Sequence, residues 1–229
     1  MKIGGWQKFS LIDYPDKISC IVFTQGCNFR CSYCHNPELV DPKKFGQTLD
    51  ENIFFDFLKG RIGKLDAVVI TGGEPTLHSD LPKFIKKIKE MGFLVKLDTN
   101  GTNPEMLKKL LDEKLLDYAA MDIKAPLEKY KKITGVTIDV KKIKKSIDLV
   151  MNSSVDYEFR TTLVKNLLST EDIVQIGKEI KGAKKYYLQK FIPSKVLKEE
   201  RLNEESYTDE ELEELKKQLN KLVATCLSR

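Results

Sequence analysis

Six short runs rich in β-forming residues alternate with amphipathic helical segments along this 229-residue chain. A strand followed by a helix and another strand favours parallel pairing through right-handed crossovers. A complete eight-unit barrel needs about 250 residues as a rule. The sequence therefore predicts an α/β fold, a partial (β/α)6 barrel with mostly parallel strands, open on one side. The six runs are residues 18–24, 67–71, 93–98, 118–124, 157–164 and 185–192.

Helix boundaries carry local signals of their own. Thr48 with Glu51, and Thr208 with Glu211, fit the capping-box pattern of a helix N-terminus. Ser79 is a candidate N-cap for the apolar helix that follows it. These positions predict where three of the helices begin.

No linker, low-complexity tract or internal repeat divides the chain. We therefore predict a single domain over residues 1–229, with a core of about 15–195 and a C-terminal helix at about 208–224. Hydrophobic residues make up 41% and charged residues 32%, which is typical of a globular protein. Because no apolar run suits a signal peptide or a bilayer span, we expect a cytoplasmic protein without a membrane partner.

The net charge of +5 comes from 34 lysines and five arginines against 34 acidic residues. The lysines are scattered along the helical segments, with acidic residues close by. Nucleic-acid-binding proteins usually concentrate their positive charge and use arginine and aromatic residues. The pattern indicates solvated lysine-rich faces, and we expect no nucleic-acid partner.

Three of the predicted strands carry one apolar and one charged face, since successive side chains alternate. The apolar faces would pack on helices, so the charged faces would line the inside of the barrel. Charged groups are rarely buried without partners. The lumen then either binds a polar, zwitterionic ligand or holds mutually neutralising ion pairs. The charged faces consist of Lys96 and Asp98, of Asp122 and Lys124, and of Glu158, Arg160 and Thr162.

Three of the five cysteines lie within eight residues, as Cys27-x3-Cys31-x2-Cys34, in the loop after the first strand. A structural zinc site would need a fourth ligand, and adjacent His35 is poorly placed to share an ion with Cys34. A redox pair would need only one C-x-x-C. An iron–sulfur cluster usually has four cysteine ligands, so three leave one iron open, as in a catalytic metal site.

The other two cysteines stand apart from this loop. Cys20 lies in the first predicted strand, and Cys226 lies close to the C-terminus. Packing in the core is the simplest interpretation of both. Two isolated cysteines are too few to bind a second iron–sulfur cluster.

The C-x3-C-x2-C motif, with Tyr33 before its last cysteine, resembles the signature of the radical S-adenosylmethionine (SAM) superfamily. The stretch "TGGEPTL" after the second strand resembles the GGEP motif of that superfamily. Three further segments, "DYPDKISCIVFTQGCNFRCSYCHNPEL", "KLDTNG" and "MDIKAPLEKYKKITGV", resemble activating enzymes of glycyl-radical enzymes. The closest resemblance is to anaerobic ribonucleoside-triphosphate reductase activating proteins, with pyruvate formate-lyase activating enzyme next.

This resemblance implies a partial (β/α)6 barrel in which Cys27, Cys31 and Cys34 hold a [4Fe–4S] cluster. SAM would chelate the open iron. Lys124 would pair with its carboxylate or ribose, and Asp98 and Asp122 would lie beside that lysine. The backbone around Tyr33 to His35 is implied to meet the adenine. The remaining residues implied to bind SAM or shape its site are Gly72, Gly73 and Glu74 at the methionyl amino end, and Asn100 at the strand end.

The resemblance also implies an activity. The reduced cluster would pass one electron to SAM and give a 5′-deoxyadenosyl radical, which removes hydrogen from a glycine of a partner enzyme. That partner would be a glycyl-radical enzyme, in this case anaerobic ribonucleoside-triphosphate reductase. An electron donor such as flavodoxin or ferredoxin would reduce the cluster.

The chain departs from the resembled pattern at two places. Asp16 stands where related enzymes tend to have glycine. Pyruvate formate-lyase activating enzymes have a SAM-contacting histidine near the end of the sixth strand, where this chain reads "LQKFIPS" and offers Gln189. His78, after the GGEP motif, is interpreted as an ordinary helix-entry residue.

Two alternative functions are consistent with the sequence. One is a minimal radical SAM enzyme that acts on a small molecule, as in 7-deazapurine synthesis. The other is a metal-binding or electron-transfer module without turnover.

Overall fold

An eight-stranded sheet forms the centre of the computed structural model, which describes residues 1–229. The strands lie side by side in chain order. The first pair is antiparallel and every other neighbouring pair is parallel. The two edge strands do not pair with each other, so the predicted open α/β architecture is confirmed. The strands are β1 (Ile3–Ser10), β2 (Ser19–Thr24), β3 (Ala67–Gly72), β4 (Leu94–Thr99), β5 (Tyr118–Asp122), β6 (Asp156–Leu163), β7 (Tyr186–Lys190) and β8 (Cys226–Ser228).

Helices connect the parallel strands and cover the outside of the sheet. Their buried apolar residues form one core with the outward faces of the strands, such as Val95, Leu97 and Met121. None of the eight helices combines the length and apolarity that a membrane span requires. The helices are α1 (Pro37–Val40), α2 (Glu51–Lys59), α3 (Leu81–Glu90), α4 (Pro104–Asp112), α5 (Tyr130–Thr134), α6 (Val140–Met151), α7 (Thr170–Glu179) and α8 (Asp209–Leu219).

All six predicted strands are present, as β2 to β7. The two edge strands were not predicted. β1 contains two glycines and exposes three consecutive residues, so it lacks the apolar alternation that marks a half-buried strand. β8 has only three residues, too few for any periodicity. Both edge strands are defined by their backbone pairing with a neighbouring strand, and no local sequence pattern reports that pairing.

The capping box of Thr208 and Glu211 is confirmed at the start of α8. The box predicted for Thr48 is wrong. Asp50 lies directly before α2, and its carboxylate accepts the backbone N–H of Asn52 at 2.8 Å. An aspartate adjacent to the helix therefore takes the cap position that the spacing assigned to threonine.

The predicted N-cap Ser79 is also wrong. The residue before α3 is Asp80, whose side chain makes no capping hydrogen bond to the helix. At the other end of the chain, α8 is shorter than predicted, because residues 220–225 turn the chain into β8.

The turn before β2 explains one departure from the resembled pattern. Asp16 has a φ of +58°, in the left-handed region where glycine is favoured. Aspartate is among the few other residues that tolerate this region. The turn can therefore keep its shape although glycine is absent.

Candidate active site

The loop between β2 and α1 carries the three clustered cysteines. The backbone closes it: Gly26 N–H donates to Leu39 at 2.8 Å, and Cys34 N–H donates to Cys31 at 3.0 Å. Inside the loop, Arg30 Nη1 donates to the carbonyl of Cys27 at 2.7 Å. The loop is thus fixed by its own main chain, and all three thiols border one cavity.

Two glycines at the end of β3 pack directly against the backbone of the end of β2 and of this loop. A Cβ on Gly73 would lie 2.0 Å from the carbonyl oxygen of Gly26, and one on Gly72 would lie 2.5 Å from the nitrogen of Thr24. The amide of Glu74 donates to Gly26 at 2.8 Å. The glycines of the GGEP motif therefore allow one backbone to approach another, and they dock this motif on the cysteine loop.

Glu74 is buried and connects the ends of β3 and β4. Its Oε1 accepts hydrogen bonds from the hydroxyls of Thr76 and Thr99 at 2.5 and 2.7 Å. Its Oε2 accepts the amide of Asn100 at 2.6 Å and makes no other bond within the protein. Burial raises the pKa of this carboxyl. Since a carboxylate oxygen can accept two donors, Oε2 keeps room for one more.

Asn100 lies between β4 and the cysteine loop. Its Nδ2 donates to Asn28 Oδ1 at 2.9 Å, and Asn28 Nδ2 donates in turn to the hydroxyl of Thr102 at 2.9 Å. These side-chain bonds fix the cysteine loop relative to the strand end. Asn28 and Thr99 were not assigned from the sequence: both lie in segments that carry the resemblance, but their contacts depend on how β4 meets the cysteine loop.

A chain of five charged side chains crosses the floor of the cavity. Lys96 pairs with Asp98 at 2.8 Å, and Asp98 pairs with Arg160 at 2.9 Å. Arg160 then pairs with Asp122 at 2.8 Å, and Asp122 with Lys124 at 2.9 Å. The polar lumen predicted from strand parity is present, and its charges are ion-paired. Because three cations alternate with two anions, this charged chain of side chains has a net charge of one positive unit.

The pKa values in this chain follow from burial and pairing. Burial opposes the charge on Asp122, but the guanidinium of Arg160 and the ammonium of Lys124 outweigh it and lower the pKa of the carboxyl. Burial likewise opposes the charge on Lys124, and the carboxylate of Asp122 outweighs it, so the pKa of that lysine rises. Asp122 and Lys124 are therefore both ionised near neutral pH.

His35 contacts the segment that follows β7. Its ring stacks on Phe191 with centroids 5.4 Å apart and an interplanar angle of 9°. Its Nε2 lies 3.0 Å from the carbonyl oxygen of Ile192. Gln189, which the sequence offers in place of the histidine of pyruvate formate-lyase activating enzymes, borders the same cavity.

The cavity has a volume of about 610 Å³, which is in the range of small-molecule and cofactor sites. Every residue that the sequence assigned to the cluster or to SAM lies on its wall, although their individual roles stay predictions. The assigned residues are Cys27, Cys31, Tyr33, Cys34, His35, Gly72, Gly73, Glu74, Asp98, Asn100, Asp122 and Lys124.

The Radical SAM superfamily model matches residues 21–175, which is more than half of the chain. The chain belongs to the radical SAM superfamily. A candidate glycyl-radical enzyme activating enzyme of Methanocaldococcus jannaschii is 40% identical over 99% of this chain and 95% of its own. The pyruvate formate-lyase-activating enzyme of Clostridium pasteurianum is 30% identical over 88% of this chain and 87% of its own. This radical SAM protein is therefore an enzyme of the glycyl-radical-enzyme activating class.

A solved structure supports the fold of this radical SAM enzyme. Streptococcus suis SuiB, bound to its precursor peptide SuiA, superposes with a TM-score of 0.68 at 14% sequence identity. The match covers 91% of this chain and 48% of SuiB. At this identity the likeness concerns the fold alone.

The cofactors of a radical SAM enzyme are a [4Fe–4S] cluster and SAM, and the residues of this chain fit both. The three thiols are soft donors on one cavity wall. No three potential ligand side chains converge where a single ion would sit. A cluster presents its irons at separate corners, so its ligands need no common point. Burial raises the pKa of Cys27 to about 12, so the free thiol is protonated and cluster binding must release its proton.

Tyr33 supports the fit for SAM. Its side chain is buried, and its hydroxyl has no hydrogen-bond partner in the protein. A buried hydroxyl without a partner is uncommon in folded proteins. A polar molecule in the cavity could supply that partner.

Proposed function

We propose that this protein installs a radical on a glycine of a partner enzyme, and that the partner is anaerobic ribonucleoside-triphosphate reductase. The main observation behind the proposal is that the cysteine loop, the GGEP motif and the charged chain all line one cavity. The sequence resemblance across "FSLIDYP", "FTQGCNFRCSYCHNPEL" and "MDIKAP" supports this particular partner.

The residues of the cavity divide the binding of the cofactors among them. Cys27, Cys31 and Cys34 would hold the cluster. Lys124 would attract the carboxylate of SAM, and the free acceptor position on Glu74 Oε2 would receive its amino group. When bound and reduced, these cofactors supply a radical that can take a hydrogen atom from the target glycine.

The fold supports transfer to a macromolecule because the sheet is open. β1 and β8 do not pair with each other, so one side of the barrel is open. Ile12, after β1, and Arg229, after β8, both border the cavity. Hydrogen transfer needs the glycine within van der Waals reach of the reacting carbon. A loop of the partner can approach through this side, while burial of Phe29, Cys31 and Tyr33 excludes water from their part of the cavity wall.

The proposal includes the setting in which the enzyme works. Residues 1–229 act as one domain, in the reducing cytoplasm, where thiols stay available for cluster assembly. A one-electron carrier such as flavodoxin or ferredoxin reduces the cluster. Neither a nucleic acid nor a membrane takes part.

An anaerobic mixture of the reduced protein, SAM and anaerobic ribonucleotide reductase tests the proposal by electron paramagnetic resonance. We expect the doublet of a glycyl radical, and a Gly→Ala change at the target position of the reductase should remove it. SAM cleavage without a protein radical, together with turnover of a purine-like small molecule, would instead assign the enzyme to small-molecule chemistry. A colourless protein that binds zinc and leaves SAM intact would indicate a non-catalytic module.

A further inference from the structure

The hairpin that joins β1 to β2 exposes large apolar side chains at its tip. Phe9 is 53% exposed, Leu11 63% and Ile12 85%. Ile192, just after β7, is 66% exposed. We call these four residues the rim patch. Single exposed apolar residues are common in proteins, but several at one opening mark an interaction site.

On the first side of the hairpin turn, Leu11 and Ile12 point to solvent between the buried residues Ser10 and Tyr14, whereas Asp16 and Lys17 are exposed on the other side. Ser10 is buried, and its hydroxyl donates to the carboxylate of Asp13. The amide of Ile12 donates to Ser10 Oγ at 3.2 Å. Tyr14 is buried as well, and its ring centroid lies 5.6 Å from that of Tyr118. Two large aliphatic side chains are thus exposed directly beside buried residues, which is consistent with a surface that becomes covered.

The rim patch is continuous with the cavity of the active site. Ile12 and Ile192 both border that cavity while remaining exposed to solvent. Ile12 follows the edge strand β1, and Ile192 follows β7, the neighbour of the other edge strand β8. The patch therefore lies on both sides of the opening, and a chain that enters the cavity must pass it.

The outer edge of β1 offers a second means of recognition. β1 pairs along one edge with β2, and on its other edge only Ile3 forms a bridge, with Leu49. Beyond Ile3 this edge pairs with no other strand, and the side-chain amide of Gln7 donates to the carbonyl of Phe9 at 2.7 Å. An extended segment can add to such an edge by main-chain hydrogen bonds, with its side chains in apolar contacts.

We propose that the rim patch docks the apolar residues that flank the target glycine of the partner enzyme. This proposal rests on the function proposed above. A glycine has no side chain to recognise, so affinity must come from its neighbours and from the main chain. The patch supplies apolar contact at the mouth of the cavity, and β1 supplies an edge for an extended segment.

The test uses the Phe9→Ser/Leu11→Ser double variant, because both side chains belong to the patch but neither lines the cavity. The matched control is Ile53→Ser/Ile62→Ser, which alters two apolar residues of similar exposure on and after α2. Radical yield is measured by electron paramagnetic resonance against the concentration of anaerobic ribonucleotide reductase. Cluster absorbance and SAM cleavage without the reductase are measured in parallel.

We expect the double variant to need at least about tenfold more reductase for half-maximal radical yield, since each lost apolar contact weakens binding. Its cluster and its partner-independent SAM cleavage should match those of the control. If the double variant does not fold, Leu11→Asp replaces it, because this residue is on the exposed tip and makes no core contact.

The outcomes separate the two proposals. If the unaltered protein makes a glycyl radical and the double variant requires no more reductase, the docking proposal is wrong and the proposed function stands. If the unaltered protein cleaves SAM but makes no glycyl radical, both are wrong. A dimer that the double variant converts to monomer, with unchanged radical yield, would assign the patch to self-association and overturn the docking proposal.

Discussion

Arg160 on β6 donates from Nε to Asp122 Oδ1 on β5 across 2.8 Å. Its Nη1 also donates to Asp98 on β4 at 2.9 Å, so one buried guanidinium connects three neighbouring strands below the cavity. Planar guanidinium groups suit such paired carboxylate contacts better than ammonium groups. Arg160 therefore fixes the distance between the strand ends that carry the proposed SAM-binding residues.

Arg160→Leu should lower the free energy of unfolding by about 3 kcal/mol, the lower end of the range for breaking a buried ion pair. The loss should not be larger, because Asp98 keeps Lys96 and Asp122 keeps Lys124 as partners. Urea denaturation of the two proteins at neutral pH measures the difference. Lys145→Ala, which breaks an exposed pair with Glu105, is the control and should leave the free energy of unfolding nearly unchanged.

The stabilisation by Arg160 should depend on pH in a defined direction. Burial opposes the charge on Asp98, but Arg160 and Lys96 outweigh it and lower its pKa below the usual 3.8. A carboxyl whose pKa falls on folding adds stability above the pKa of the unfolded chain, and this stability is lost as the pH drops towards the folded value. The difference between the unaltered protein and Arg160→Leu should therefore hold from pH 7 down to about pH 4 and shrink below that pH. A constant difference would show that Arg160 acts through packing alone.

The charged lumen could be predicted from the sequence, but its pairing could not. Alternation along a strand is local, so it places Asp122 and Lys124 on one face without knowledge of the neighbours. The contact of Asp122 with Arg160 requires these residues to lie opposite each other in the register of β5 and β6. That register depends on the crossover between the strands, which no local pattern specifies.

Contacts between distant segments were unpredictable for the same reason. His35 stacks on Phe191, which lies far along the chain after β7. The sequence assigned His35 to the adenine of SAM only through a family resemblance. The edge strands β1 and β8 are likewise defined by their pairing. The contact of Tyr14 in the β1–β2 hairpin with Tyr118 also joins residues that lie far apart in the sequence.

Gly73→Ala should disrupt the cluster site although it changes no proposed ligand. The new methyl group would lie 2.0 Å from the carbonyl oxygen of Gly26, so the cysteine loop must move away from β3. Overpacking of this kind costs about 1–3 kcal/mol of stability. We expect a lower iron and sulfide content after anaerobic reconstitution, and a lower thermal midpoint.

Gly46→Ala is the matched control for this prediction, because a Cβ there meets no atom within 4 Å. It should keep full iron content. Equal iron content in Gly73→Ala and Gly46→Ala would mean that the docking of the GGEP motif on the cysteine loop is unimportant for the cluster.

The cysteines should separate into ligands and packing residues. Replacing Cys27, Cys31 or Cys34 by Ala should abolish reductive SAM cleavage, because a three-cysteine site has no spare ligand. Cys20→Ala and Cys226→Ala alter buried core positions and should leave the iron content nearly unchanged. Iron analysis and visible absorbance of the anaerobic proteins provide the measurement. Loss of the cluster in Cys226→Ala would show that a fourth cysteine ligates it and that no iron is open.

Lys124→Ala should weaken SAM binding while the cluster still assembles. The ammonium group of Lys124 lines the cavity and pairs with Asp122 at 2.9 Å, and it is the positive end of the charged chain nearest the cysteine loop. A charge-assisted hydrogen bond contributes about 1.5–3 kcal/mol, so its loss should raise the dissociation constant of SAM roughly ten- to hundredfold. Equilibrium binding of SAM to the reconstituted protein, with iron content measured beside it, gives the comparison.

Lys129→Ala provides the control for Lys124→Ala, since Lys129 pairs with Asp172 at 2.6 Å and does not border the cavity. It removes one positive charge from the same connection between β5 and α5, so it corrects for the change in net charge. SAM affinity should be unaltered in this control. If Lys124→Ala binds SAM as tightly as Lys129→Ala does, Lys124 at the end of the charged chain does not contact the SAM carboxylate. The polar face of β5 would then serve only to hold the strands together through Asp122 and Arg160.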